Sequence, residues 1–137
     1  MTKTEIIALM KANPTSFMAT VEGNKPHVRA MGIYDVDENG IIIQTWTMKD
    51  IHPQILKNPQ VELCFNDLKA GIQVRVSGKA EIIDDMAFKQ KVVEKRTFMK
   101  PTVEEKGWNV VAIYRIRGKA TVWTRAANFE PKTYIDF

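Results

Sequence analysis

The segment Pro26-His27-Val28-Arg29-Ala30-Met31-Gly32 is followed, after a turn, by Ile41-Ile42-Ile43-Gln44-Thr45-Trp46-Thr47-Met48-Lys49. It places an arginine early on one predicted strand and a lysine just beyond the next. If the strands pair, the two cations can converge on one anion. A planar guanidinium can clasp two oxygens of a phosphomonoester while an ammonium adds a point charge from another side. Thr45 and Thr47 bring hydroxyl donors, and backbone N–H groups opening a helix after Met48 can add more.

No other constellation competes with this one. His27 and His52 lack partners at metal-ligand spacing, and Cys64 is the only cysteine. Cys64 lies in the apolar run Val61-Glu62-Leu63-Cys64-Phe65, where a thiol acts as a small hydrophobe. Asp84-Asp85 sits where a helix cap belongs, and Ser77-Gly78 lacks the flanks of a nucleophile elbow. Trp46, Trp108 and Trp123 read as core or interface aromatics.

The elements that must carry the cations follow from periodicity. Thr4 to Ala12 has helical apolar spacing and stops at Asn13-Pro14. Strands are predicted over Ser16–Val21, His27–Val36 and Ile41–Trp46, the last two joined through Asp37-Glu38-Asn39-Gly40, a strong hairpin signal. A short helix from Met48 to Lys57 accommodates Pro53 in or near its first turn. Further strands are Gln60–Asn66 and Ile72–Ile83, the glycine inside the latter suggesting a bulge or bend. A helix capped at Asp84-Asp85 runs to about Phe98, and Asn109–Arg117 with Lys119–Arg125 forms a last hairpin around Gly118. Strands of this number and length bury their edges best as a barrel. The expectation is a mainly β, six- to seven-stranded antiparallel split barrel with flanking helices, one domain over residues 1–137.

The chain has 137 residues, 45% hydrophobic and 26% charged, which excludes disorder and low complexity. The net charge of +4 is mild and its lysines are scattered, which is weak evidence for nucleic acid and suits a small anionic ligand at least as well; no nucleic-acid partner is expected. Apolar runs are far shorter than the ~20 residues that span a bilayer, and Met1–Glu5 lacks a signal-like apolar stretch. A cytoplasmic protein with no membrane partner is expected.

Four segments, from about Phe17 to Trp123, resemble the pyridoxamine 5'-phosphate oxidase-like family, the FMN-binding split barrels. They are Phe17-Met18-Ala19-Thr20 with Pro26 to Met31; Gln44-Thr45 through Lys49; Leu56-Lys57-Asn58-Pro59-Gln60-Val61-Glu62-Leu63; and Gln73 to Glu81. The resemblance implies that Arg29 and Lys49 hold the FMN phosphate and that Ala30, Met31 and Gly32 lie along the flavin ring. It places Gln44 and Thr45 on the partner strand and brings Gln73 to the flavin from the second subunit of a homodimer. Met31 and Trp46 would offer the ring apolar surface, and Trp123 is a candidate to stack on it at the subunit junction.

Met48-Lys49 replaces the two successive basic residues of the phosphate oxidases, a thinner clamp. The segment those enzymes use for pyridoxal-type substrates has no recognisable counterpart, so the likeness is to the general FMN-binding, stress-related or nitroreductase-like branches. The implied function is an FMN-dependent oxidoreductase acting on a small molecule. The alternative is a non-catalytic flavin, haem or deazaflavin binder in a stress response.

Overall fold

The computed structural model describes residues Met1–Phe137. Helix α1 (Lys3–Ala12) opens with a capping box: Thr2 Oγ1 accepts from the Glu5 N–H at 3.2 Å, and the Glu5 carboxylate accepts from the Thr2 N–H at 2.8 Å. Strands β1 (Thr15–Glu22) and β2 (Lys25–Gly32) pair along their full length, from Thr15↔Gly32 to Glu22↔Lys25. Strand alternation turns Ser16, Met18 and Thr20 inward with His27, Arg29 and Met31, and leaves Phe17, Ala19, Val28 and Ala30 outward.

After β2 come β3 (Asp35–Asp37), β4 (Gly40–Trp46), α2 (Ile51–Lys57), β5 (Gln60–Asp67) and β6 (Ile72–Ile82). Then follow α3 (Met86–Lys95), α4 (Lys100–Lys106), β7 (Val111–Thr124) and β8 (Tyr134–Asp136). The eight-stranded antiparallel sheet has the order β2-β1-β5-β6-β7-β4-β3, with β8 added beside β7. It curls into a barrel that stays split between β2 and β3. The chain crosses that split at Ile33 and Tyr34, whose N–H groups donate to Pro14 O at 2.9 Å and Ile42 O at 2.8 Å.

The interior is one apolar cluster. Ile41, Ile43, Leu63, Phe65, Val74, Val76 and Ile116 line it, and Ile6 and Met10 of α1 and Ile51 and Ile55 of α2 also pack into it. A second cluster lies outside the barrel, where Val92, Val93, Met99 and Val103 cover Ile42, Val111 and Ile113. The outer face of β2, β1, β5, β6 and the far half of β7 carries no helix.

The structure departs from the expected elements at definable places. The strand predicted over His27–Val36 is two strands, broken at Ile33-Tyr34 where the barrel splits. The helix predicted from Asp84-Asp85 is capped by Asp85, whose carboxylate accepts from the Phe88 N–H at 3.3 Å, and it ends at Lys95. A 3-10 turn (Thr97–Met99) and α4 follow it. Neither α4 nor β8 is among the elements that the sequence predicts.

Gly118 turns no hairpin. It lies inside the continuous 14-residue β7. Gly78 makes no bulge either, since β6 and β7 stay in register through the pair Gly78↔Gly118. The glycines are there because the backbones approach closely. A Cβ on Gly78 would lie 1.9 Å from Arg117 O, and one on Gly118 would lie 2.0 Å from Ser77 O.

Candidate functional site

Arg29, on edge strand β2, points inward beside α2, and its guanidinium is held from both sides. Nη1 donates to Thr20 Oγ1 at 2.8 Å and, at a longer 3.4 Å, to Met18 O; Nη2 donates to Gln54 Oε1 at 2.7 Å. The Thr20 hydroxyl donates to the same Gln54 oxygen at 2.6 Å. Thr20 and Gln54 are buried at 0% and 6% exposure, so the two side chains that hold the guanidinium lie out of water. Burial lowers the pKa of Arg29 from the ordinary arginine range while Asp50 opposes the shift, and the group stays cationic.

The guanidinium lines a shallow cavity of about 510 Å³ together with Ala30, Met31, Met48, Lys49, Asp50 and Ile51. Its Nε–H and the second Nη2–H carry no protein acceptor. Lys49 is exposed, its ammonium free of ion pairs. Two cations thus share one cavity with two methionines, an alanine and an isoleucine, and one carboxylate, Asp50, joins them. The volume falls in the ~300–1,000 Å³ range of small-molecule pockets.

Arg29, Ala30, Met31 and Lys49 therefore meet, whereas Gly32, Gln44, Thr45 and Gln73 do not line this cavity. Gly32 ends β2 on the exposed side opposite Thr15. Gln44 shares the outward face of β4 with Ile42 and Trp46, towards the helix-covered cluster, and its buried Oε1 has no hydrogen-bond partner. Trp46 packs against the same second cluster and likewise offers no surface in the cavity. Thr45 is buried on the interior face with Ile41 and Ile43. The Thr47 hydroxyl turns to Met48 Sδ at 3.7 Å.

The backbone donors expected at the start of α2 are partly spent: Lys49 N–H donates to Trp46 O at 3.1 Å, while the N–H groups of Asp50 and Ile51, both cavity-lining residues, donate to no protein acceptor. His52 N–H donates to Lys49 O at 3.1 Å, Gln54 N–H to Asp50 O at 3.3 Å, and Pro53 has none.

Gln73 belongs to a second cavity of about 620 Å³, lined also by Arg75, Thr121, Trp123 and the return segment Ala127–Thr133. It donates to Asn66 Oδ1 at 3.2 Å and faces Trp123 across the β6–β7 pair. The Trp123 indole donates to Asn128 Oδ1 at 2.7 Å. β6 is three strands from β2, roughly 14 Å at ordinary strand spacing, so one chain cannot bring Gln73 to Arg29.

The remaining candidate groups are structural. His27 contacts Glu22 at 3.3 Å. Burial pushes the Cys64 thiol up, as suits a packing residue. His52 Nδ1 pairs with the Tyr114 hydroxyl at the inner end of the barrel. Burial lowers the His52 pKa from the usual 6.5 and raises that of Tyr114, so a neutral imidazole accepts from a phenol.

The unfolded chain binds the His52 proton more tightly than the folded one. Stability from this pair is therefore complete above about pH 6.5 and is lost as pH falls below it. The expected outcome is that a His52→Gln variant loses less melting temperature than the parent between about pH 7.5 and about pH 5. Parallel losses would remove His52 from the acid sensitivity.

Sequence reasoning missed Thr20, Gln54 and Asp50. A signal existed for Gln54: it shares the buried helix face of Ile51 and Ile55, a polar residue within an apolar stripe.

The strand order, the split beside β2 and the cationic cavity next to it define the split-barrel class. Within it, the sequence profile described as pyridoxamine 5'-phosphate oxidase matches residues 2–109, and the chain belongs to that family. No curated protein matches the sequence.

Among solved structures, a NimC/NimA family protein from Clostridium acetobutylicum is 21% identical, with 98% of this chain and 91% of that one covered and a TM-score of 0.77. A protein related to general stress protein 26, also from Clostridium acetobutylicum, is 16% identical, with 98% and 93% covered and a TM-score of 0.77. An FAD-binding protein from Mesorhizobium loti is 15% identical, with 89% and 92% covered and a TM-score of 0.66. At these identities the likeness establishes the fold. No helix of the chain is long and apolar enough to cross a membrane.

Proposed function

We propose that the chain binds FMN at the interface of a homodimer and works as a flavin-dependent oxidoreductase on a small molecule. The observation that carries this reading is the shared cavity of Arg29 and Lys49. A phosphate needs a cationic donor fork, a second positive charge and access from solvent, and all three are present. Arg29 would hold the phosphate through its free N–H groups, with Lys49 adding charge from the open side. Met31 and Ile51 would cover the apolar part of the ligand. The chemistry FMN supplies when bound is hydride or electron transfer, for which the protein provides position and electrostatics.

Family membership supports a flavin over other phosphates, and the relative from Mesorhizobium loti is described as binding FAD. The test is a visible spectrum of the purified protein before and after addition of FMN, FAD or riboflavin. A colourless protein whose presence quenches no flavin fluorescence at micromolar concentration would sink the proposal. Turnover of NADH or NADPH with an artificial acceptor then separates an oxidoreductase from a flavin carrier.

The homodimer is supported by the uncovered sheet face. Phe17 is 50% exposed and Val28 70%, and they stand on adjacent outward rows with Ala30 and Ala19. The same face continues through Cys64 and Arg75 to Thr121, beside the cavity of Gln73 and Trp123. A second copy docked there could bring its Gln73 cavity towards Arg29, which the first copy cannot do alone. Phe17→Asp is expected to give a folded monomer by light scattering that has also lost flavin binding. A dimer that persists, or a monomer that binds flavin normally, would contradict the shared site.

A further inference from the structure

We propose that Gln54, supported by Thr20, is the positioning residue that aims Arg29 into the cavity and keeps its charge available to an anionic ligand; this rests on the phosphate reading of that cavity. Three facts carry it. Gln54 is 6% exposed on a helix face otherwise made of Ile51 and Ile55, a place where a glutamine is unfavourable unless its polar atoms are used. Its Oε1 accepts from both Thr20 Oγ1 at 2.6 Å and Arg29 Nη2 at 2.7 Å, linking β1, β2 and α2 through one atom. Thr20, itself fully buried, accepts from the other terminal nitrogen of the guanidinium at 2.8 Å.

The guanidinium is thereby fixed along one edge by two neutral acceptors. Its rotation about the Cδ–Nε and Nε–Cζ bonds is set, and the Nε–H and remaining Nη2–H are left for a ligand. The neutrality of those acceptors matters as much as their position. A carboxylate at the same place would hold Arg29 equally well and cancel its charge. The structure therefore distinguishes a residue that aims the arginine from one that would neutralise it, and glutamine does only the first.

The variants separate these effects. Gln54→Glu is nearly isosteric and keeps Arg29 tethered, so the fold should hold and the melting temperature stay the same or rise. FMN affinity should fall tenfold or more, while riboflavin, which lacks the phosphate, changes by less than about twofold. Thr20→Val removes the second tether and should also weaken FMN selectively, whereas Thr20→Ser, which keeps the hydroxyl, should restore it.

Dissociation constants for FMN and riboflavin, from fluorescence quenching on the full chain, read all three. Equal losses for the two ligands in Gln54→Glu, or no loss for either, would overturn the role of Gln54 while leaving the phosphate reading intact. A parent protein that does not favour FMN over riboflavin would overturn the phosphate reading, and this inference with it.

Discussion

Replacing Arg29 by Ala should raise the FMN dissociation constant by about 10- to 100-fold while moving that of riboflavin by less than about threefold, the effect of losing one or two charge-assisted hydrogen bonds. The variant should still fold. Arg29 donates to Thr20 and Gln54; without it the Thr20 hydroxyl still donates to Gln54 Oε1, and only the acceptor side of Thr20 Oγ1 loses its partner. The stability loss should stay near ~1–2 kcal/mol.

Asp50 supplies the opposite arm. It lines the same cavity and acts on Arg29 through space, so Asp50→Asn should tighten FMN by about two- to fivefold, as expected for removing one exposed like-signed neighbour of the phosphate. Fluorescence titration of both variants against both ligands decides the matter. A uniform change across FMN and riboflavin would mean that Arg29 shapes the cavity without reading a phosphate.

The largest effect on stability is expected at the Gly78↔Gly118 pair. A Cβ at either position meets backbone, 1.9 Å from Arg117 O or 2.0 Å from Ser77 O, and backbone cannot swing aside as a side chain can. Either Gly78→Ala or Gly118→Ala must push β6 and β7 apart in the interior of the longest ladder of the sheet. A destabilisation above about 4 kcal/mol, a large share of the ~5–15 kcal/mol that holds a domain folded, is the expected result. Gly32→Ala is the control, since a Cβ there meets nothing within 4 Å. Urea unfolding of the three variants measures this. Midpoints for Gly78→Ala and the control that coincide would show that the sheet relaxes at no cost.

The same pair shows what a sequence conceals. A glycine in a strand reads as a turn or a bulge because those are its local uses, and Gly118 was accordingly taken for a hairpin. Its actual reason is another glycine 40 positions earlier, visible only once β6 and β7 are in register. Local chemistry was legible where its cause is local. Asn39-Gly40 turns the chain between β3 and β4, Asn13-Pro14 and Asn58-Pro59 follow α1 and α2, and alternation puts Arg29 inside and Ala30 outside.

Helix α4 could have been found from the proline in its first turn and Gly107 at its end. Of the candidate site, the two cations were readable from residue type and order. The facing of Gln44 was not readable, because its strand is covered on both faces, by the barrel interior on one and by α3 and α4 on the other, and a strand buried on both sides gives no alternation to read.

Strand β2, which carries Arg29, is bonded on one side only, to β1, with the split of the barrel on its other side. Edge strands open at lower free energy than the interior of a sheet, and they exchange their amide hydrogens accordingly. Fraying of that one strand, with the rest of the barrel closed, would part Arg29 from Thr20 and Gln54 and so weaken its hold on a proposed anionic ligand. An occupied site, in turn, should show itself as slowed amide exchange along Lys25–Gly32.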